Sequence, residues 1–137
     1  YLARAGRPET PQDLARHNCL RFSNITAAQE WRFRGKRGAM TVPVLGNFQI
    51  NHGGALTEAA IAGIGIARLP EFLVAGALAR GELVPLLEDY RVEPVGIHFV
   101  HPAGARPLPK VEAFVSEVGT ALKARLRALR SGRTTAS

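Results

Sequence analysis

EAAIAGIGIARLP, residues 58–70, is apolar along most of its length and is interrupted by two glycines, Gly63 and Gly65. A dinucleotide-binding loop needs its glycines after a strand and before a helix, because the pyrophosphate rests on the N-terminus of that helix. Here the order is reversed, and Arg68 stands where a third glycine would be expected. We therefore predict that Gly63 ends a helix in a left-handed conformation and that Gly65 allows close packing of helix and strand. For Gly65 a second interpretation stays open, since a glycine at the mouth of a strand also lets a small ligand approach the backbone.

Helices are predicted on both sides of this stretch. A first helix is predicted by apolar or small residues at helical spacing: Leu56, Ala59, Ala60 and Gly63. Asn51, Gly53 or Gly54 is expected to cap its start. A second helix is predicted between Pro70, near its start, and Gly81, its stop signal. The segment IGIARL between the two helices is a short β-prone run.

The N-terminal part of the chain predicts one short helix followed by strands. The helix is expected over about residues 11–17, where Thr10 and Asp13 have the spacing of a capping box. NCLRFS, residues 18–23, is typical of a strand. Residues 30–51 contain two extended runs around a turn and are rich in Val, Phe, Ile and Trp. This pattern predicts a hairpin.

The C-terminal part predicts extended segments and then the longest helix. Residues 82–90 and 95–101 are expected to be extended, and residues 108–129 to be helical. The helix carries a continuous apolar stripe, formed by Val111, Phe114, Val115, Val118, Leu122 and Leu126. An uncovered stripe of that length favours association with another surface. Strands that alternate with helices along the whole chain predict an α/β architecture with a largely parallel sheet.

Composition limits the classes of protein that this chain can belong to. Its 137 residues, 46% of them hydrophobic, fit one domain of ordinary size. No uninterrupted apolar run reaches the roughly 18 to 20 residues of a membrane span. A single cysteine, Cys19, excludes an intramolecular disulfide and is expected to be a small core residue. No metal site is predicted, because His98 and His101 would point to opposite faces of a strand.

The net charge of +7 raises the question of nucleic-acid binding. Much of this charge lies near the C-terminus and in the segment 32–38; the C-terminal residues are Lys123, Arg125, Arg127, Arg130 and Arg133. We interpret them as a solvated helix end and tail, and the segment 32–38 as a hairpin tip, with a DNA-contacting surface as the alternative. Trp31 and Phe33 alternate with arginines as in a strip that binds single-stranded nucleic acid, but burial of both rings on one face of a strand is the simpler explanation, and we favour it.

The sequence shows no catalytic motif. It contains no G-x-S-x-G nucleophile elbow, and no pair of carboxylates stands out. Nothing near Cys19 supplies a base that could activate the thiol. We therefore predict no enzymatic activity, no catalytic residue and no cofactor.

Four segments together resemble a known family. YLARAGRPETPQDLARHNCLRF at residues 1–22, WRF at 31–33, AAIAGIGIARLPEFLVAGALARGELVPLL at 59–87 and HFVHPAGARPLPKVEAFVSEV at 98–118 are similar, in this order and spacing, to the effector-binding domain of LysR-type transcriptional regulators. The resemblance implies a fold like that of type 2 periplasmic binding proteins. In that fold two α/β lobes are joined by crossing strands, and a small effector binds in the cleft between them.

The resemblance also implies a division of the chain. Residues 1–9 would be a crossing strand or linker, residues 10–92 the second lobe, residues 93–129 the returning strand and C-terminal helix of the first lobe, and residues 130–137 a disordered basic tail. The chain begins at Tyr1 and not at Met, and we expect a further segment upstream. DNA would be bound only through an N-terminal helix-turn-helix in that segment. The protein would be cytoplasmic, a homodimer or homotetramer, and without contact to a membrane.

The residues implied in effector binding are those at strand ends and at one helix start: Phe22, Ser23, Asn24, Asn51, His52, Gly65, Ile66 and Ala67. Hydroxyl, amide and backbone N–H groups at such positions suit a small carboxylate. Purely structural roles remain open, since Ser23 and Asn24 can make a turn, Asn51 can cap a helix and His52 can be a surface residue.

Three functions follow as hypotheses. The first is the sensing domain of a LysR-type regulator, in which a small anionic effector changes how the oligomer binds DNA. The second is a periplasmic solute-binding protein of a transporter, with the same architecture. The third is an α/β enzyme, which would need turnover that depends on residues such as Ser23 or His52.

Overall fold

The computed structural model of the chain describes residues 1–23, 29–36, 38–90, 96–100 and 108–131. The chain divides into two compact units, Tyr1–Pro94 and Val95–Ser137. In order, the elements of the first unit are α1 (Leu2–Ala5), a 3₁₀ helix (Pro11–Arg16), β1 (Cys19–Phe22), β2 (Glu30–Gly35), β3 (Gly38–Pro43), β4 (Gln49–Ile50), α2 (Gly53–Ile61), β5 (Ile66–Ala67) and α3 (Glu71–Ala79). The second unit contains α4 (Pro109–Ser131).

The first unit is built on a parallel sheet of three short strands, in the order β4-β1-β5. Phe22 is in register with Ile50 of β4, and Cys19 is in register with Ile66 of β5. Parallel neighbours need crossover connections, and here β2 and β3 lie between β1 and β4 along the chain, whereas α2 lies between β4 and β5. The expectation of an α/β unit with a parallel sheet is confirmed.

A separate antiparallel hairpin is formed by β2 and β3, as the sequence predicts. Trp31 and Phe33 are each 7% exposed, whereas Arg32 and Arg34 are exposed. Side chains alternate between the two faces of a strand, so both rings enter the core and both arginines face away from it. The buried rings cannot stack on bases, and the interpretation of Trp31 and Phe33 as core residues is confirmed.

Two clusters of apolar side chains form the core of the first unit. The cluster that includes the hairpin contains the buried residues Leu14, Cys19, Trp31, Phe33, Val42, Val44 and Ile66. The cluster that includes α2 contains the buried residues Leu20, Leu56 and Ala59. Cys19 and Leu20 are neighbours on β1 and belong to different clusters, because the alternation of the strand sends one side chain to each face. The central strand thus supplies both halves of the core.

Of the two glycines of the opening stretch, Gly63 has the structural role predicted for it, and Gly65 allows close packing of a different kind. Gly63 has φ 72°, its N–H donates to Ala60 O at 3.0 Å, and the N–H of Ile64 donates to Ala59 O at 3.1 Å. These two hydrogen bonds form a Schellman motif, which ends α2. At Gly65 a Cβ atom would collide with the carbonyl oxygen of Asn18, just before β1. The close packing allowed by Gly65 is therefore between two neighbouring strands, not between helix and strand.

Other predicted elements are confirmed with small differences. The short helix is a 3₁₀ helix, and Thr10 and Asp13 form its capping box. The helix predicted after Pro70 is α3, which precedes Gly81 with φ 71°. The long C-terminal helix is α4. In it, Val111 is 37% and Phe114 is 60% exposed, while the rest of the stripe is half-buried: Val115, Val118, Leu122 and Leu126.

Leu2–Ala5, within the segment expected to be a crossing strand or linker, forms a short helix, since the N–H of Ala5 donates to Tyr1 O at 2.9 Å. Two predicted extended segments, residues 82–90 and 95–101, are wrong within the described residues. Residues 82–90 contain bends and turns and no strand, and Leu87 has φ 58°. The apolar residues there are explained by packing, because Leu86 and Leu87 contact the hairpin cluster. Residues 96–100 form no strand, and the described part of the second unit holds no other strand to pair with them.

Some predictions fall on residues outside the described part of the chain. Asn24, His101, Arg133 and the tail from residue 132 onward are among them. Within the described ranges, no helix is both long enough and apolar enough to cross a membrane.

Candidate ligand-binding edge of the parallel sheet

Polar side chains gather where β1 and β4 end. Because the two strands are parallel, their carboxyl ends lie at the same edge of the sheet. The N–H of Ser23 donates to Ile50 O at 3.0 Å and holds the two ends together. Ser23, Asn51 and His52 are exposed, and Phe22 is half-buried against the cluster that includes α2. The edge thus offers a hydroxyl, an amide and an imidazole next to a half-buried aromatic residue.

His52 is the N-cap of α2. Its Nδ1 accepts a hydrogen bond from the N–H of Ala55 at 3.1 Å, so the expectation that Asn51, Gly53 or Gly54 caps this helix is wrong. A ring nitrogen that accepts a hydrogen bond carries no proton, and the N–H of this ring is therefore on Nε2. The absence of a side chain at Gly54 makes room for this ring, because a Cβ there would lie 2.9 Å from His52 Cε1. The capping imidazole thus keeps one N–H donor for another partner.

The remaining predicted site residues lie on or next to β5 and are packed inside the unit. Gly65 and Ile66 are buried, and Ala67 is half-buried against the α2 cluster. Gly65 lies beside Asn18, at the amino end of β1, and the N–H of Ile66 donates to Asn18 O at 2.9 Å. The five steps from Asn18 to Ser23 span roughly 16 Å of extended chain. The structure therefore brings Phe22, Ser23, Asn51 and His52 together and leaves Gly65 at the opposite end of the strand.

The comparisons with known proteins agree with one another. The family model described as the LysR substrate binding domain matches residues 1–123. The chain belongs to this family. The LysR substrate-binding domain has an α/β fold like that of type 2 periplasmic binding proteins, and this is the fold class of the chain.

Individual LysR-type relatives support the assignment. The chain is 36% identical over 109 residues to an HTH-type transcriptional regulator of Haemophilus influenzae, a match that covers 80% of this chain and 38% of the relative. It is 34% identical over 119 residues to the HTH-type transcriptional regulator PtxR of Pseudomonas aeruginosa, covering 86% of this chain and 38% of PtxR. The chain thus spans well under half the length of these relatives.

A solved LysR structure shows the same fold. The regulatory domain of CrgA from Neisseria meningitidis is 31% identical and superimposes with a TM-score of 0.61, over 69% of this chain and 46% of that domain. CrgA is described as a LysR-type transcriptional regulator. The relatives are transcriptional regulators and not enzymes, and none of these similarities favours a transporter's solute-binding protein.

A polar network that the sequence did not reveal holds the amino end of the parallel sheet in the first unit. Asn18 Nδ2 donates to Asn47 Oδ1 and to Ile64 O, each at 2.8 Å, and Asn18 Oδ1 accepts from the N–H of Asn47 at 2.9 Å. The Tyr1 hydroxyl accepts from the N–H of Asn18 at 2.8 Å and lies 3.1 Å from Nδ1 of the buried His17. This network fixes the loops that enter β4 and β5. Its members are far apart in sequence, and no local motif marks them.

Cys19 and Asp13 are among the titratable groups of the first unit that have displaced pKa values. Burial raises the pKa of the Cys19 thiol to about 11, and Cys19 is 0% exposed. The thiol is therefore protonated and enclosed at neutral pH, which confirms the core role predicted for it. Hydrogen bonds from the backbone N–H and then the hydroxyl of Thr10 lower the pKa of Asp13 to about 2. Both pKa shifts have structural causes, and neither residue lies at the carboxyl edge of the sheet.

Arginines with unpaired buried nitrogens also escaped prediction. Nε of Arg21 and Nη1 of Arg68 are buried and lack a hydrogen-bond partner within the described residues. Arg21 donates through Nη2 to Gly46 O at 3.2 Å, whereas no such bond is found for Arg68 in that part of the chain. A sequence signal could have identified Arg21 and Arg68: each is an arginine within or directly after an otherwise apolar strand. Among the described residues, no group of three metal-ligating side chains could hold a metal ion.

Proposed function

We propose that this chain is the ligand-sensing part of a LysR-type transcriptional regulator and that a small anionic effector binds at the carboxyl edge of β1 and β4. The observation that supports the proposal most strongly is the grouping of Ser23, Asn51 and His52, which are exposed at this edge beside the start of α2. Ligands of open α/β sheets bind outside the carboxyl ends of the strands. The start of a helix adds unpaired N–H groups and the positive end of a dipole.

The chemistry of the edge favours an anion. The hydroxyl of Ser23, the amide of Asn51 and Nε2–H of His52 can all donate hydrogen bonds. No carboxylate belongs to this group of residues. The half-buried ring of Phe22 offers an apolar surface to the body of a small organic acid. Gly65, Ile66 and Ala67 would support this edge through packing, and Asn24 lies outside the described residues.

The proposal extends to the intact protein. Residues 10–92 would be the second lobe of the domain and residues 93–129 the closing part of the first lobe, with the effector in the cleft between the lobes. DNA contact would be made by a helix-turn-helix outside this chain, in a cytoplasmic homodimer or homotetramer. An effector changes such an assembly only through its different affinities for the available arrangements. The relatives are HTH-type transcriptional regulators, and for that reason we do not favour a transporter's binding protein.

The experiment is a thermal-shift screen of the chain against small carboxylates and aromatic acids. A compound that binds the native state raises the unfolding midpoint by mass action. For each compound that does so, we expect Ser23→Ala and His52→Asn to weaken its affinity by about tenfold or more, since each removes one charge-assisted hydrogen bond. Asparagine at position 52 is a good N-cap and therefore keeps α2 intact.

The matched control is Ser116→Ala on α4, which makes the same chemical change at an exposed position. It should leave the affinity of every compound unchanged. If no acid raises the midpoint, the sensing role is contradicted. If an acid binds equally well to Ser23→Ala and His52→Asn, its site lies elsewhere and the proposed edge is wrong.

A further inference from the structure

The start of α3 packs against the start of α2. A Cβ atom added at Gly53, the first residue of α2, would lie 2.5 Å from Leu73 Cδ1, which is too close for a real contact. The side chain of Leu73 therefore takes the space that a side chain at position 53 would need. Gly53 directly follows His52, so Leu73 lies beside the carboxyl edge that carries Ser23, Asn51 and His52.

The start of α3 also has apolar surface that no other part of its unit covers. Phe72 is 52% and Leu73 is 39% exposed. Every residue of α3 after Glu71 is apolar or glycine, yet of its nine residues, all of which the structure describes, only Ala77 is buried. A helix that is apolar on all sides is ordinarily buried. The end of α3 that lies next to the candidate site is therefore open to contact with a ligand.

Leu73 and His52 flank two consecutive glycines. Leu73 lies against Gly53, and a Cβ at Gly54 would lie 2.9 Å from His52 Cε1. Because consecutive Cα atoms are about 3.8 Å apart, Leu73 Cδ1 is at most about 12 Å from His52 Cε1. A hydrogen bond of about 2.9 Å at one end and an apolar contact of about 4 Å at the other leave roughly 5 Å for the ligand itself. One small organic acid can therefore reach both side chains.

We propose that Leu73 is a specificity-determining residue of the effector site and that the effector is a carboxylic acid with an apolar body. This inference rests on the function proposed above. The carboxylate is bound by Ser23, Asn51 and His52, and the apolar body packs against Leu73. Such contact removes apolar surface of both partners from water, whereas a polar group in the same place would lose hydrogen bonds to water without gaining a partner.

The test compares the affinities of two acids of equal charge for the chain at about pH 7, by isothermal titration calorimetry. Phenylacetate has an apolar body, and glycolate has a hydroxyl group in its place. We expect the unaltered chain to bind phenylacetate about tenfold or more tightly than glycolate. Leu73→Ala should weaken the affinity for phenylacetate by about five- to tenfold and change that for glycolate by less than about twofold, because it removes only apolar contact.

Two further variants show whether the effect belongs to this contact. Leu73→Met keeps the size and the apolar character of the side chain and should retain the preference for phenylacetate. Leu45→Ala is the matched control, because it makes the same change at a leucine that is 68% exposed. Leu45 O accepts from the N–H of Cys19 at the start of β1, so Leu45 lies at the opposite end of the sheet. Its variant should bind both acids like the unaltered chain.

The outcomes separate this inference from the proposed function. Equal affinities of the unaltered chain for the two acids, or equal affinities of Leu73→Ala and Leu45→Ala for phenylacetate, would overturn the role of Leu73. If His52→Asn still weakened binding in those cases, the proposed edge would stand. If His52→Asn also left binding unchanged, the edge itself would be wrong and this inference would fall with it. If the chain bound neither acid, this inference would be wrong, and the wider screen of acids would decide the proposed function.

Discussion

The two units of this chain bury their apolar residues to different degrees. In the first unit, Leu20 on the central strand is 1% exposed and packs in the cluster that includes α2. In the second unit, α4 carries an apolar stripe in which Phe114 is 60% exposed. The first unit therefore obtains its stability from a core of its own, whereas the stripe of α4 leaves much of its apolar surface in contact with solvent. A periodic sequence can specify a helix without specifying what covers it.

The largest expected effect tests this difference in burial directly. Leu20→Ala should lower the free energy of unfolding of the first unit by about 2–5 kcal/mol, because it removes a large buried side chain and leaves a cavity. Phe114→Ala should cost about 1 kcal/mol or less, since most of that ring is already in water. The measurement is denaturant unfolding, followed by the fluorescence of Trp31 for the first unit and by far-UV circular dichroism for α4. Equal costs for the two variants would show that the stripe on α4 is covered in solution.

Alanine substitutions at two glycines, one in each unit, test the same difference in packing. Gly65→Ala should destabilise the first unit by about 1–3 kcal/mol, because the new Cβ collides with Asn18 O and pushes β5 away from β1. Gly119→Ala on α4 makes the same change where, among the described residues, the new Cβ would meet Phe99 Cε2 at an ordinary contact distance of 3.8 Å. It should stabilise the helix by about 0.5–1 kcal/mol, since alanine is the better helix former. Thermal unfolding of both variants checks the signs, and a neutral Gly65→Ala would contradict the packing role assigned to Gly65.

The smallest effect concerns the capping box of the first unit. Asp13 has a folded-state pKa of about 2, below the ordinary value of 3.8, so its contribution to stability is present above pH 3.8 and is lost as the pH falls toward 2. Asp13→Asn should therefore lower the unfolding midpoint slightly at neutral pH, and the difference from the unaltered chain should disappear near pH 2. Thermal unfolding at a series of pH values measures this, with Glu117→Gln on α4 as the control. If the difference in unfolding midpoint stayed constant from neutral pH to pH 2, the charge of the Asp13 carboxylate would not be the source of its stabilising effect.

Local patterns predicted much of this fold. Three local predictions are confirmed: the end of α2 at Gly63, the capping box at Thr10 and the buried face of β2. Each depends on residues within a few positions of one another. Positions that depend on distant partners were missed. Asn18 bonds to residues 29 and 46 positions away, and no short motif carries that information.

The candidate site was predictable only in part for the same reason. Strand ends and a helix start directed attention to Ser23, Asn51 and His52, which the parallel register brings to one edge. The cap was assigned to the wrong residue because Asn is a common N-cap, whereas here an imidazole folds over the first turn. Arg68 was considered only as the position where a third glycine was missing. Its buried Nη1, which has no hydrogen-bond partner within the described residues, depends on the packing around β5 and not on a local motif.

The hairpin β2–β3 has one further consequence. Within the described residues it pairs with no third strand, although the 3₁₀ helix packs against β3, so backbone groups at an outer edge could recruit a strand from another molecule. Charged side chains at Arg32 and Arg34, together with Pro43 at the end of β3, make such an addition unfavourable. The same arginines that mark this hairpin as cationic therefore also protect the protein against growth into sheet-like aggregates.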